Sequence, residues 1–259
     1  MTKKERRYLT ELYYFALSFF VYGFLGWCTE VAYAAAKQGK FVNRGFLNGP
    51  ICPVYGIGVG VVVQFLTPVE NNLVLLYISS TILVTVIEGI TGFLLEKIFH
   101  NKWWDYSEQP LNIGGYVCVL FSLIWGVFCV LIVKIIHPLI YKVLTMIPLV
   151  LGIVVMACLA VGLLADLYVT ASGILKMNRR LEAMEKIAAE LKELSDKVGE
   201  NIYENVMEGM EFREEKKARI EELKVKYEEM AENRTKVGER LVKAFPKMQV
   251  GQHKEIFEE

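Results

Sequence analysis

The chain has 259 residues, with 29 Lys/Arg against 29 Asp/Glu and 54% hydrophobic residues. Zero formal net charge argues against a nucleic-acid partner, which calls for a basic surface. The charges are unevenly placed: residues 1–175 carry 11 Lys/Arg and 9 Asp/Glu, and residues 176–259 carry 18 and 20, so an apolar body precedes a solvated tail.

Crossing the hydrocarbon core takes about 20 mostly apolar helical residues. In chain order, residues 12–36, 73–95, 113–136 and 146–174 meet that length. A further stretch, 49–66, is short and opens with Pro50 and Pro53, which a helix start tolerates. The first stretch is too long for a secretory signal peptide and lacks its cleavage site, so it is expected to stay as an anchor. The expected fold is an all-α polytopic transmembrane bundle of about five spans (domain 1–175) with a charged, amphipathic helical tail (176–259).

Each long stretch carries small or polar residues at steps of three and four, which keeps them on one helix face. These are Gly23, Gly26, Glu30 and Ala34; Thr81, Thr85, Glu88, Gly92 and Glu96; Gly115, Cys118, Ser122, Gly126 and Cys129; and Cys158, Gly162, Asp166, Thr170 and Gly173. Small residues mark helix seams in lipid, so these faces are expected to point inward. The run Tyr55-Gly56-Ile57-Gly58-Val59-Gly60 lacks the strand that a dinucleotide loop needs and reads as close helix packing. The five cysteines lie inside apolar stretches without metal-ligand or disulfide spacing, and the three histidines are far apart, so neither a metal nor a cofactor is expected. In the tail, Leu181, Met184, Ile187, Leu191, Leu194 and Val198 recur at helical spacing. After a break at Gly199, Ile220, Leu223, Tyr227 and Met230 resume it. Two amphipathic helices follow, as a hairpin or a coiled coil, with a frayed end from about Ala244.

A carboxylate inside a membrane is a functional hypothesis by default, since mid-bilayer placement costs about 2.5–3.5 kcal/mol even on permissive scales. Glu30, Glu88 and Asp166 each lie near the exit of their helix, at similar depth beneath one face if all five spans are complete. The loops at that face are unusual. One holds Asn43, Arg44, Gly45 and Asn48-Gly49-Pro50; the other holds Trp103, Trp104, Asp105 and Tyr106 and leads to Asn112-Ile113-Gly114. Each is expected to deliver an asparagine-capped helix start, with free N–H groups suited to an anion. Arg44 adds a bidentate fork beside one of them. Candidate ligand-binding residues are therefore Glu30, Arg44, Asn48, Glu88, Trp104, Asp105, Asn112 and Asp166. The structural alternative pairs Arg44 with Glu30 or Asp105 and leaves the aromatic residues to an interfacial belt.

Three strings carry a resemblance: Gly26-Trp27-Cys28-Thr29-Glu30; Asn43-Arg44-Gly45-Phe46-Leu47 with Gly49-Pro50-Ile51-Cys52-Pro53-Val54-Tyr55-Gly56; and Trp103-Trp104-Asp105-Tyr106 with Asn112-Ile113-Gly114-Gly115. Over about residues 13–130 the chain resembles the Putative ABC-transporter permease (type IV) family of bacterial membrane proteins. The resemblance implies a multi-pass protein of the bacterial plasma membrane. The chain carries no GxxxxGK[ST] phosphate loop, so an ATPase would be a separate subunit.

The leading functional reading is a permease-like subunit that binds a polar or anionic solute, or a lipid headgroup, with Glu30 and Glu88 as proton or cation sites and Arg44 as anion clamp. The runner-up is an intramembrane enzyme acting on a lipid-linked substrate, with Glu30, Glu88 or Asp105 as acid or base, or Cys52 as nucleophile. A third class is a membrane scaffold. Expected partners are membrane lipids and, through the tail, a second copy or a soluble protein. Five spans place nine Lys/Arg on the tail side against six opposite, which puts the tail inside. If 49–66 only dips in and returns, four spans give ten against five but split the polar cluster between faces.

Overall fold

The computed structural model describes residues 2–204, 209–233, 235–245 and 249–250. Helix α1 (Lys3–Gln38) starts on a Thr2–Glu5 capping box and stops at Gly39, whose φ of 66° is left-handed. Its 36 residues extend about 54 Å, longer than a bilayer core. Helix α2 (Pro53–Leu66) is short, and a one-turn 3₁₀ segment, Thr67–Val69, leads to α3 (Leu73–Phe99), capped by the Asn72 side chain. Helix α4 (Val119–Leu131) passes through a π-helical turn, Ile132–Ile136, into α5 (His137–Leu144). Pro138 lacks an N–H and its ring crowds the carbonyl four residues back, so the wider turn lies where the α ladder is interrupted. Helix α6 (Leu149–Glu204) is 56 residues long and runs unbroken from the body into the tail. Helices α7 (Gly209–Glu232) and α8 (Lys236–Ala244) follow. Strand β1 (Asn101–Lys102) pairs antiparallel with β4 (Gln249–Val250), and β2 (Asn112–Ile113) with β3 (Val117–Cys118).

Among the described residues, four helical segments are long and apolar enough to cross a membrane: Lys4–Gln38, Leu73–Phe99, Val119–Leu144 and Leu149–Lys197. Pro53–Val69 is apolar but shorter. The polytopic all-α class expected from sequence is thus what the chain forms. Helix α1 packs chiefly on α2, and α3 on α4. Glycines set both distances. A Cβ on Gly56 would lie 2.5 Å from the Phe19 carbonyl oxygen, and one on Gly126 would lie 2.1 Å from Thr81 Oγ1. At the end holding the α2–α3 turn, Val62, Leu66, Leu76, Cys129 and Val133 form an apolar core. At the opposite end lie both polar loops and the start of the tail, where Phe99, Trp103, Ile174 and Leu241 form a second core.

Several local expectations are corrected. Residues 113–118 form the β2–β3 turn rather than the start of a helix, because Gly114 and Gly115 take φ of 61° and 75°. Gly199 does not break α6: one glycine costs only about 1 kcal/mol in a helix, which the flanking helix formers outweigh. Cys158 and Gly162 do not line a seam. Cys158 is exposed and nothing lies within 4 Å of a Cβ on Gly162, since α6 touches the body near Gly152 and again from Asp166 onward. Of the two arrangements expected for the tail, the hairpin is the one formed: α6 and α7 pack antiparallel within the chain, as the Glu190–Arg219 pair at 3.1 Å and the Arg180–Asn233 contact require. Helix α8 then returns to the body. Residues 246–248 and 251–259, where a frayed end was expected, lie outside the described residues.

Candidate functional site

The first polar loop is folded by its own asparagine. Asn43 Oδ1 accepts from Trp27 Nε1 at 2.8 Å and from the Gly45 amide at 3.0 Å, while Nδ2 donates to the Asn48 carbonyl at 2.8 Å. The far side of the loop is held by Asp166 of α6. Its Oδ1 accepts from the Asn48 amide (3.2 Å), Asn48 Nδ2 (2.8 Å) and Thr170 Oγ1 (3.1 Å), and its Oδ2 from the Gly49 amide (2.6 Å). Four donors to one carboxylate explain how an acid sits at this depth: each donor offsets part of the desolvation cost.

Against that frame Arg44 reaches Glu30, with Nε 3.3 Å from Oε2 and both side chains about a quarter exposed (24% and 27%). The contact is ionic rather than a directed hydrogen bond, since the Arg44 Nε–H has no aligned acceptor. The guanidinium lies 5.2 Å over the Tyr33 ring and 5.6 Å over the Phe245 ring, two cation–π contacts. Tyr55 Oη donates to the other Glu30 oxygen at 2.7 Å. Gly26 makes that bond possible: a Cβ there would sit 2.3 Å from the Tyr55 ring, so only glycine lets the ring cross α1 one turn below Glu30.

The second hairpin repeats the device. Tyr106 Oη donates to Glu88 Oε1 at 3.2 Å, and its ring stacks on Phe121 with centroids 4.9 Å apart. Burial, reinforced by the Glu88 carboxylate, pushes the Tyr106 phenol far up, so it stays a donor. Trp125 faces Glu88 without closing a hydrogen bond to Oε2, which is buried and unpartnered. The Tyr55 and Trp125 rings meet edge to face at 6.3 Å, joining the two tyrosine–glutamate pairs across the hairpins.

The expected residues therefore divide. Glu30 and Arg44 meet directly, Asn48 and Asp166 brace the loop that carries Arg44, and Glu88 joins through Tyr55 and Trp125. Trp104, Asp105 and Asn112 instead organise the second loop. Trp104 Nε1 donates to the Tyr116 carbonyl at 2.8 Å, and Asp105 accepts from the Ser107 amide at 3.0 Å. Asn112 Nδ2 donates to the Gln109 carbonyl at 2.8 Å. Neither polar loop delivers the asparagine-capped helix start expected of it. The N-caps of α2 and α4 are Cys52 and Cys118, neither with a side-chain cap bond, because Asn48 is taken by Asp166 and Asn112 by its own loop.

Sequence reasoning missed the roles of Tyr55, Trp125, Arg240 and Phe245. Arg240 of α8 binds the first loop with three donors: Nε to Asn48 Oδ1 (3.0 Å), Nη1 to the Gly45 carbonyl (2.8 Å) and Nη2 to the Phe46 carbonyl (2.8 Å). Burial lowers the pKa of this guanidinium, and the Asp166 carboxylate opposes that shift. The available signal was the spacing of Val237, Leu241, Ala244 and Phe245, one apolar stripe on a short helix.

Long apolar helices that carry carboxylates and close glycine contacts define a polytopic helical membrane protein. Residues 17–171 match the family described as Putative ABC-transporter type IV, and the chain belongs to that family. The match extends past the motif-bearing hairpins and takes in Asp166 and Thr170. No curated protein and no solved structure gives a significant match.

Proposed function

We infer that the chain is the membrane-embedded subunit of a transporter whose working site is the tail-side cluster of Glu30, Arg44, Tyr55, Glu88 and Tyr106. The observation that carries this reading is Glu88. It is a carboxylate within a span, with one oxygen held by a tyrosine, the other buried beside Trp125 without a closed hydrogen bond, and no cation paired with it among the described residues. Such a group suits an exchangeable proton or a small cation. Arg44 is already balanced by Glu30, so an anionic solute or lipid headgroup would bind by competing with Glu30 for the guanidinium. Tyr55 would then hold the released carboxylate. The tail side is the cytosolic side in this reading, and the membrane is the bacterial plasma membrane.

A transporter of this family needs a source of work outside the chain, so a separate ATPase subunit is the required partner. Purification in mild detergent after cross-linking in cells is expected to yield a nucleotide-hydrolysing subunit in fixed ratio to this chain. A homogeneous preparation without ATPase activity, from cells in which the protein is functional, would remove the ABC-type reading.

A further inference from the structure

At the opposite end of the bundle, α1, α2 and α5 line a half-open cavity of about 120 Å³ that plays no part in the site above. Its wall is largely aromatic: Tyr14, Phe15 and Tyr22 from α1, and His137 and Tyr141 from α5. Four of these rings form a connected set. Tyr14 and Tyr141 have centroids 5.0 Å apart, His137 and Tyr141 5.9 Å, and Tyr22 and His137 stack at 6.2 Å. Tyr22 is 3% exposed, and its hydroxyl is within 3.1 Å of His137 Nδ1, which fixes both rings. Gly60 of α2 leaves room for Phe15, whose ring would lie 2.7 Å from a Cβ there.

The charge in this cavity is of one sign. Glu11 contributes a carboxylate, and the lining contains no lysine or arginine. Arg7 does bond Glu11, at 2.8 Å, but the arginine side chain is 82% exposed, so water screens that pair. Ser18 and Gln64 add neutral polar groups. Aromatic faces and a carboxylate together attract a soft organic cation and repel an anion. Size narrows the choice: at about 30 Å³ per water the cavity holds about four, the scale of a substituted ammonium group.

We propose that this cavity binds an alkylammonium group, supplied either by a lipid headgroup or by a free amine. The proposal is independent of the reading of Glu30, Arg44 and Glu88, which lie at the other end of the bundle. The probe is tetramethylammonium chloride, titrated calorimetrically into the full chain in maltoside micelles, with sodium chloride as the blank. Saturable binding is expected, weakened about tenfold in Tyr141→Leu and by a smaller factor in Glu11→Gln. Glu11 is substantially exposed, so its variant is expected to fold even if the tyrosine variant does not. Repeating the titration in lipid discs separates the sources. Suppression by phosphatidylethanolamine but not by phosphatidylglycerol marks a headgroup site, and equal binding in both marks a free-amine site. No heat beyond the sodium blank, or binding that Glu11→Gln and a folded Tyr141→Leu both leave unchanged, overturns the proposal.

Discussion

Leu241→Asp is expected to release α8 from the bundle while the membrane body stays inserted. Leu241 is fully buried against Phe99, Trp103 and Ile174, and a carboxylate in that apolar setting costs several kcal/mol unless the helix leaves. Nothing in the body depends on α8 for its own helical hydrogen bonds, so the penalty falls on docking. Release also removes the Arg240 bonds to the Gly45 and Phe46 carbonyls and the Phe245 ring over Arg44. Arg240→Ala is the milder test, with each lost charge-assisted bond contributing about 1.5–3 kcal/mol. Val42 is 9% exposed and packs in one cluster with Ala34 and Ala244. A cysteine at Val42 in a cysteine-free background should react with a water-soluble maleimide at least about tenfold faster in Leu241→Asp than in its parent. Equal rates would mean that α8 does not cover the first loop.

Gly56→Leu should abolish assembly of the α1–α2 pair. A Cβ at Gly56 meets the Phe19 carbonyl at 2.5 Å, and that oxygen belongs to the α1 backbone, so it cannot rotate aside as a side chain could. The helices must separate, which would also carry Tyr55 away from Glu30. Gly56→Ala should cost about 1–3 kcal/mol, the usual range for overpacking a tight contact. Gly162→Leu is the matched control, because a Cβ there meets nothing within 4 Å. Melting in detergent should show a large loss for Gly56→Leu and almost none for Gly162→Leu. Similar losses at both positions would contradict the helix packing.

Much of this arrangement was legible before the structure. Runs of apolar residues define the body, and the positions of Glu30, Glu88 and Asp166 near their helix exits place all three toward one end. The glycines at 26, 56, 60 and 126 mark close contacts because lipid supplies no hydrophobic drive to bring helices together. What was not legible depends on register and on distant partners. Asn48 reads locally as a cap, yet its amide is captured by Asp166, 118 residues away. The Arg44–Glu30 pair was one alternative the sequence offered, but the Tyr33 and Phe245 rings that the fold brings over the guanidinium were not foreseen. Cys158 and Gly162 continue a helical stripe, but α6 leans on the body elsewhere, so that part of the stripe stays exposed. Helix α8 is only nine residues long, so its apolar stripe was a faint signal that did not say where the helix docks.

The most direct test of the tail-side site is Glu88→Gln, read both as melting temperature and as rescue of a strain lacking the gene. The glutamine oxygen can still accept from Tyr106, and the buried, unpartnered Oε2 is replaced by a neutral amide, so stability should hold to within about 2–4 °C. Rescue should nevertheless fail, because an amide neither takes up a proton nor balances a cation. Full rescue by Glu88→Gln, or a loss of rescue that only follows a fall in melting temperature, would contradict a working role for this carboxylate.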